Sequence, residues 1–121
     1  MIVGIGVDVV DIARFERALT RTPTLKDRLF AQSEQVKDGA LLPLRSLAGR
    51  FAAKEALIKA LGDSAGVSWH DMGVVSDGHG NPSFALAEST QAIATAKGIN
   101  AIHLSMSHDA GVAIAYVVAE S

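Results

Sequence analysis

Asp8 and Glu55 are the two carboxylates of this 121-residue chain whose surroundings make a negative charge conspicuous. Asp8 stands near the end of Ile2-Val-Gly-Ile-Gly-Val-Asp8-Val9, whose loose alternation predicts a strand over residues 2–9. Ile5, Val7 and Val9 fall on one face of that strand, and Gly4, Gly6 and Asp8 on the other. Glycines on a strand face let another backbone or a ligand come close. Asp8 could also be a turn or helix-entry aspartate, but Asp11 is better placed to cap the helix that follows.

Glu55 belongs to Leu47-Ala-Gly-Arg50-Phe51-Ala-Ala-Lys54-Glu55-Ala-Leu-Ile-Lys59-Ala-Leu-Gly62. At about 100° per residue, Leu47, Phe51, Ile58 and Gly62 form one arc, with Glu55 at its edge. Lys59 lies a step further round, among Ala48, Ala52 and Ala56. Glu55 and Lys59 are either a simple i,i+4 pair worth about 0.2–0.5 kcal/mol or part of a site for which the alanines leave room. If this helix packs on the glycine face, Asp8 and Glu55 oppose each other, and facing carboxylates repel unless they share a proton or a cation. Magnesium suits two carboxylates, completing its shell with water and substrate phosphates. Zinc is not expected, because there is no cysteine and His70, His79, His103 and His108 show no ligand spacing.

Phosphate contacts must come from isolated cations. Gly4-Ile-Gly6 lacks the third glycine of a dinucleotide loop, Val9 standing there, and no Gly-Lys-Ser/Thr loop exists. Arg45, Arg50, Lys54 and Lys59 are candidates, each equally readable as a solvated charge. His108, in Ser105-Met-Ser107-His108-Asp109, is placed at a hairpin tip and is either a surface histidine or a ligand contact.

The elements that must position these residues follow from punctuation and periodicity. Asp11 caps a helix from Ile12 to Thr20 or Thr22, before Pro23, and a second helical stretch is predicted over residues 24–37. Gly39 to Pro43 read as a break. The longest helix runs from Leu44 or Ser46 to Leu61, with Gly62 as its left-handed stop. Val67–Trp69 read as a short extended piece. Residues 72–76 and 83–87 flank the turn Asp77-Gly-His-Gly-Asn-Pro82 as a hairpin. A helix over Thr90–Lys97 takes Ser89 as its cap, and strands 101–107 and 112–119 are joined by His108-Asp109-Ala110-Gly111. The class is α+β, an antiparallel sheet with one long packed helix, in one domain over residues 1–121.

Net charge is −2, which argues against a nucleic-acid binder. Residues 14–28 nevertheless carry five basic side chains (Arg14, Arg17, Arg21, Lys26, Arg28) against Glu16 and Asp27. That arm is either a solvated helix face or a dock for an acidic macromolecule. An apolar fraction of 49% is high for a small chain and predicts a homo-oligomer. No apolar run approaches the roughly 20 residues of a membrane span, and the N-terminus lacks a basic leader. With no cysteine, a reducing cytoplasmic setting is expected.

Taken together these segments resemble the holo-acyl-carrier-protein synthase family of phosphopantetheinyl transferases. The match lies in Gly4-Ile-Gly-Val-Asp8-Val-Val-Asp-Ile-Ala-Arg14-Phe15, in Leu47-Ala-Gly-Arg50-Phe51-Ala-Ala-Lys54-Glu55-Ala-Leu-Ile-Lys59-Ala, and in Leu104-Ser-Met-Ser107-His108. Asp77-Gly-His-Gly-Asn-Pro82 is similar to the family's central turn. The resemblance implies transfer of 4′-phosphopantetheine from coenzyme A to a serine of apo-acyl carrier protein, as in fatty acid biosynthesis, with 3′,5′-ADP released. It implies Mg2+ on Asp8 and Glu55, Lys59 near the phosphates, and Arg50 and His108 towards coenzyme A. It assigns Arg14 and Arg21 to carrier docking, and a homotrimer with sites between subunits. The catalytic set is then Glu55, Lys59 and His108, with the general base open between a metal-ordered water, Glu55, Asp109 and His108. Two departures stand out: Ala31 replaces a threonine able to cap a helix, and Val10 replaces a third acidic ligand found in larger relatives. A non-catalytic nucleotide- or carrier-binding module and a purely structural oligomer are the competing expectations.

Overall fold

The computed structural model describes residues 1–62 and 66–121. Strand β1 (Ile2–Asp11) leads into α1 (Ile12–Arg21), whose first turn is capped where Asp11 Oδ1 accepts the Arg14 amide at 2.9 Å. After α2 (Leu25–Leu29) and a 3-10 turn at Gln32–Glu34 come the short strands β2 (Val36–Lys37) and β3 (Ala40–Leu41). The long helix α3 (Leu44–Leu61) ends on Gly62 at φ 75°, the left-handed stop expected there. A 3-10 turn at Trp69–Asp71, the hairpin β4 (Met72–Ser76) and β5 (Pro82–Leu86), α4 (Glu88–Ala96), and β6 (Ala101–Asp109) and β7 (Val112–Glu120) complete the chain. The architecture is α+β, as the residue pattern predicts. Among the described residues no helix is long and apolar enough to cross a membrane.

The main sheet has the order β1-β7-β6, antiparallel throughout. Along the central strand β7 its inner face is made of small groups: Ala113, Ala115, Val117 and Ala119 are fully buried. Against them α3 lays Ala48, Ala52, Ala56 and Ala60. Contact is closest at the glycines. A Cβ on Gly4 would overlap the carbonyl of Ala60, and one on Gly6 the carbonyl of Ala56. Two strand residues rise about 6.6 Å and four helix residues about 6 Å. Strand and helix therefore stay in step from Gly4/Ala60 to Gly6/Ala56, running in opposite directions. The next inward residue of the strand is Asp8, and the matching stretch of helix carries Ala52 and Glu55. The helix side turned to the sheet is this alanine stripe rather than the arc of Phe51 and Ile58, which is only half-buried.

Several local expectations are corrected. The stretch 24–37 is not one helix: Phe30 is extended (ψ 131°) and fully buried, so the chain leaves the helix to insert it. Ala31 has no oxygen to cap with, and the Glu34 carboxylate instead reaches back to the Ala31 amide at 3.0 Å, holding a single turn. The break at 39–43 contains a tight hairpin, since Asp38 and Gly39 both take positive φ (53° and 82°) in a primed turn. Trp69 begins a 3-10 turn. Helix α4 starts at Glu88, because Ser89 Oγ is engaged by Asp71 Oδ2 at 2.7 Å rather than serving as its cap. The last turn is only Ala110-Gly111, so His108 and Asp109 are strand residues.

Candidate active site

Asp8 and Glu55 line one cavity of about 320 Å³, together with Asp11, Arg14, Phe15 and Phe51. The step-matched packing of β1 on α3 brings the carboxylates there. The Phe15 and Phe51 rings, stacked with centroids 5.2 Å apart, pin α1 against α3 and form an apolar wall. Burial, first, and the Asp8 charge, second, push the Glu55 carboxyl above the ordinary carboxylate range, while Lys59 pulls it back. Two like charges on one cavity wall is the pattern that a cation relieves.

Lys59 supplies part of that relief. Its Nζ donates to the Val7 carbonyl at 2.9 Å and to Asp8 Oδ1 at 3.3 Å. The Lys59 side chain is 54% exposed and that of Asp8 18%, so the pair sits at the rim and leaves the cavity open. Among the described residues no three His, Asp or Glu side chains converge as a ligand cluster. Asp11 lines the cavity too, but its Oδ1 is taken up in capping α1, and Val10 carries no acid, so the pair left to meet a cation is Asp8 and Glu55. That donor set fits magnesium, a hard cation that takes its remaining oxygens from water and phosphate.

The other singled-out cations lie elsewhere. Arg45, Arg50 and His108 line a second cavity of about 220 Å³, with Lys37 and Ser107. His108 reaches it because it pairs with the buried Ala113 and shares that residue's inward face. Arg50 and Glu55, five residues apart, leave α3 about 140° apart. One chain thus holds two separate cavities, one lined by carboxylates and one by basic side chains. Arg50 is buried, and its Nη1 donates to the Val74 carbonyl; burial lowers its pKa and the Glu34 charge opposes that. Asp109 is exposed, its Oδ1 accepting the Ala110 amide.

Lys54 cannot be a phosphate contact. It is fully buried, donating to Leu29 O at 2.7 Å, Trp69 O at 2.8 Å and Glu34 Oε1 at 2.9 Å. The Glu34–Lys54 pair and Lys37 are what residue reasoning missed. A signal existed for Lys54, which stands seven residues from both Leu47 and Leu61 and so shares their buried side. Arg14, Arg17 and Arg21 are all exposed on α1, with Arg14 at the lip of the carboxylate cavity.

The chain belongs to the 4′-phosphopantetheinyl transferase superfamily, whose family model matches residues 4–117. It is 61% identical to the holo-[acyl-carrier-protein] synthase of Clavibacter sepedonicus over 120 residues, covering 99% of this chain and 97% of that one. Its fold superposes on the holo-[acyl-carrier-protein] synthase of Neisseria meningitidis with a TM-score of 0.91 at 34% identity, covering 100% of both chains. The Helicobacter pylori holo-[acyl-carrier-protein] synthase, solved in complex with coenzyme A, matches with a TM-score of 0.81 at 35% identity over 96% of this chain and 99% of that one.

Proposed function

We propose that the chain is a holo-[acyl-carrier-protein] synthase, moving 4′-phosphopantetheine from coenzyme A to a serine of apo-acyl carrier protein. The observation that carries this reading is the Asp8–Glu55 pair on one cavity wall, next to a basic helix, in a chain so close to its synthase relatives. In this reading Asp8 and Glu55 hold Mg2+, which when bound neutralises charge on the coenzyme A pyrophosphate. Lys59 is within reach to stabilise negative charge on the same phosphates once it leaves Asp8. Phe15 and Phe51 exclude water from the inner wall. The carrier serine attacks the β-phosphorus, the bond to the bridging oxygen breaks, and 3′,5′-ADP leaves. Glu55, its pKa raised by burial and by Asp8, is one candidate to take the serine proton; the others are a metal-ordered water, His108 and Asp109.

Arg50 and His108 bind coenzyme A from the basic half-site of an adjacent copy, and the working unit in this reading is a homotrimer. Support comes from the outer face of the sheet, where Ile5, Val7, Val9, Ile114 and Tyr116 are all exposed side by side. Arg14 and Arg21, a heptad apart on one side of α1, dock the acidic carrier protein at the lip of the carboxylate cavity. The absence of cysteine is compatible with a cytoplasmic enzyme. Mass spectrometry of an apo-carrier protein incubated with the enzyme, coenzyme A and Mg2+ tests the reading. A phosphopantetheine increment is expected, and its absence from an otherwise competent carrier overturns the assignment. Light scattering tests the trimer, which Val7→Lys is expected to dissociate.

A further inference from the structure

The buried Glu34–Lys54 pair has no place in the transfer described above, and its connections lead to the basic half-site. Each proton of the Lys54 ammonium has its own acceptor: Leu29 O, Trp69 O and Glu34 Oε1. Glu34, only 6% exposed, also accepts the Ala31 amide on Oε1 and the Val74 amide on Oε2 at 3.2 Å. Among the described residues strand β4 pairs only with β5, and no strand pairs with its other edge. On β4, Val74 is bound by side chains at both backbone groups: its amide by Glu34, its carbonyl by Arg50. The carboxylate and the guanidinium do for Val74 what a neighbouring strand does elsewhere. Arg50 is thereby fixed between α3 and β4, on the wall it shares with His108.

A buried ion pair is a poor source of net stability, because desolvation cancels most of the attraction and apolar replacements are often as stable. What this pair does uniquely is set the position of Val74. We propose that Glu34, anchored by Lys54, is a positioning residue for Arg50: it holds the backbone to which the guanidinium is tethered and so tunes affinity for the phosphates of coenzyme A. The inference rests on the proposed role of Arg50 in binding that substrate.

Glu34→Gln tests it. The amide offers one acceptor oxygen where three donors converge, so the Val74 amide loses its partner while the side-chain volume is kept. In calorimetric titration with coenzyme A and Mg2+ the variant is expected to bind about tenfold more weakly. The KM for carrier protein is expected to stay at the parental value and kcat to change less than the KM for coenzyme A. Leu86→Ala, a loss of apolar packing on β5, serves as the control for general loosening and is expected to leave coenzyme A affinity unchanged. Should Glu34→Gln fail to fold, Lys54→Met releases the anchor and is expected to weaken binding in the same direction. A folded Glu34→Gln or Lys54→Met enzyme that binds coenzyme A within twofold of the parent overturns the inference. Arg50→Ala separates the two levels. Parental affinity in Arg50→Ala overturns the reading of the basic cavity itself, whereas loss in Arg50→Ala with none in Glu34→Gln overturns only the positioning role.

Discussion

Gly6 lies directly beneath the carbonyl of Ala56, with no space between them for a Cβ. This contact, repeated at Gly4 and Ala60, fixes where Asp8 arrives against the helix. Gly6→Ala must push α3 off the sheet. Overpacking at a backbone contact is expected to cost about 3 kcal/mol, read as a lower urea midpoint. Gly78→Ala, at a glycine where an added Cβ would meet nothing within 4 Å, is expected to cost less.

Glu55 titrates above the usual carboxylate range because of burial and Asp8. The folded state therefore binds the proton more tightly than the unfolded one. Stability contributed by the protonated form is full below the unfolded pKa and is lost as pH rises through the folded pKa. Glu55→Gln is expected to melt a few degrees higher than the parent at pH 7, with the difference closing in acid. The same variant is expected to lose magnesium-dependent transfer. Melting curves at several pH values, alongside the transfer assay, check both.

Lys59 donates to Asp8 Oδ1 at 3.3 Å and would compete with a cation for that carboxylate. Lys59→Met is expected to bind Mn2+, a spectroscopic stand-in for Mg2+, several-fold more tightly. Its kcat is expected to fall about 100-fold, the size of loss typical when a charge-stabilising donor is removed. Electron paramagnetic resonance titration gives the first quantity and steady-state kinetics the second.

Arg14 and Arg21 are exposed cations with the carboxylate cavity at one end of their row. Arg14→Glu/Arg21→Glu is expected to raise the carrier KM at least tenfold and to flatten its dependence on salt, leaving the KM for coenzyme A unchanged. An unaltered carrier KM would remove the docking role.

Thr90 is fully buried and its hydroxyl has no hydrogen-bond partner among the described residues. Thr90→Val keeps the shape and removes the unmet group, so it is expected to stabilise the fold by about 1 kcal/mol in chemical denaturation.

The long helix, its glycine stop, the first strand and the final pair of strands were legible because each carries its own periodicity and punctuation. Asp8 and Glu55 were legible as a pair because glycines on one strand face and alanines on one helix side announce a close approach. What the residues hid was non-local. Nothing near Glu34 reveals that Lys54 and the Val74 amide will converge on it from far along the chain. Residues 24–37 look helical in isolation, and only the demand to bury Phe30 breaks them. The sequence places His108 in the hairpin turn, whereas it is a strand residue, because Ala110, which tolerates positive φ poorly, takes the corner ahead of Gly111. Lys54 is neither the phosphate contact nor the solvated charge between which its sequence leaves it open, although its heptad spacing from two leucines marks the buried side.

The methyl-lined seam between sheet and helix has a consequence for how such a centre can change. Alanine and glycine have no rotamers, so the seam cannot rearrange locally to bring the acids nearer or take them apart. The spacing is dictated by main chain alone. If the acids hold the proposed cation, tuning their spacing for a different ion is left to the length of the acids themselves, one methylene at a time, as in exchanging aspartate for glutamate at position 8 or glutamate for aspartate at position 55.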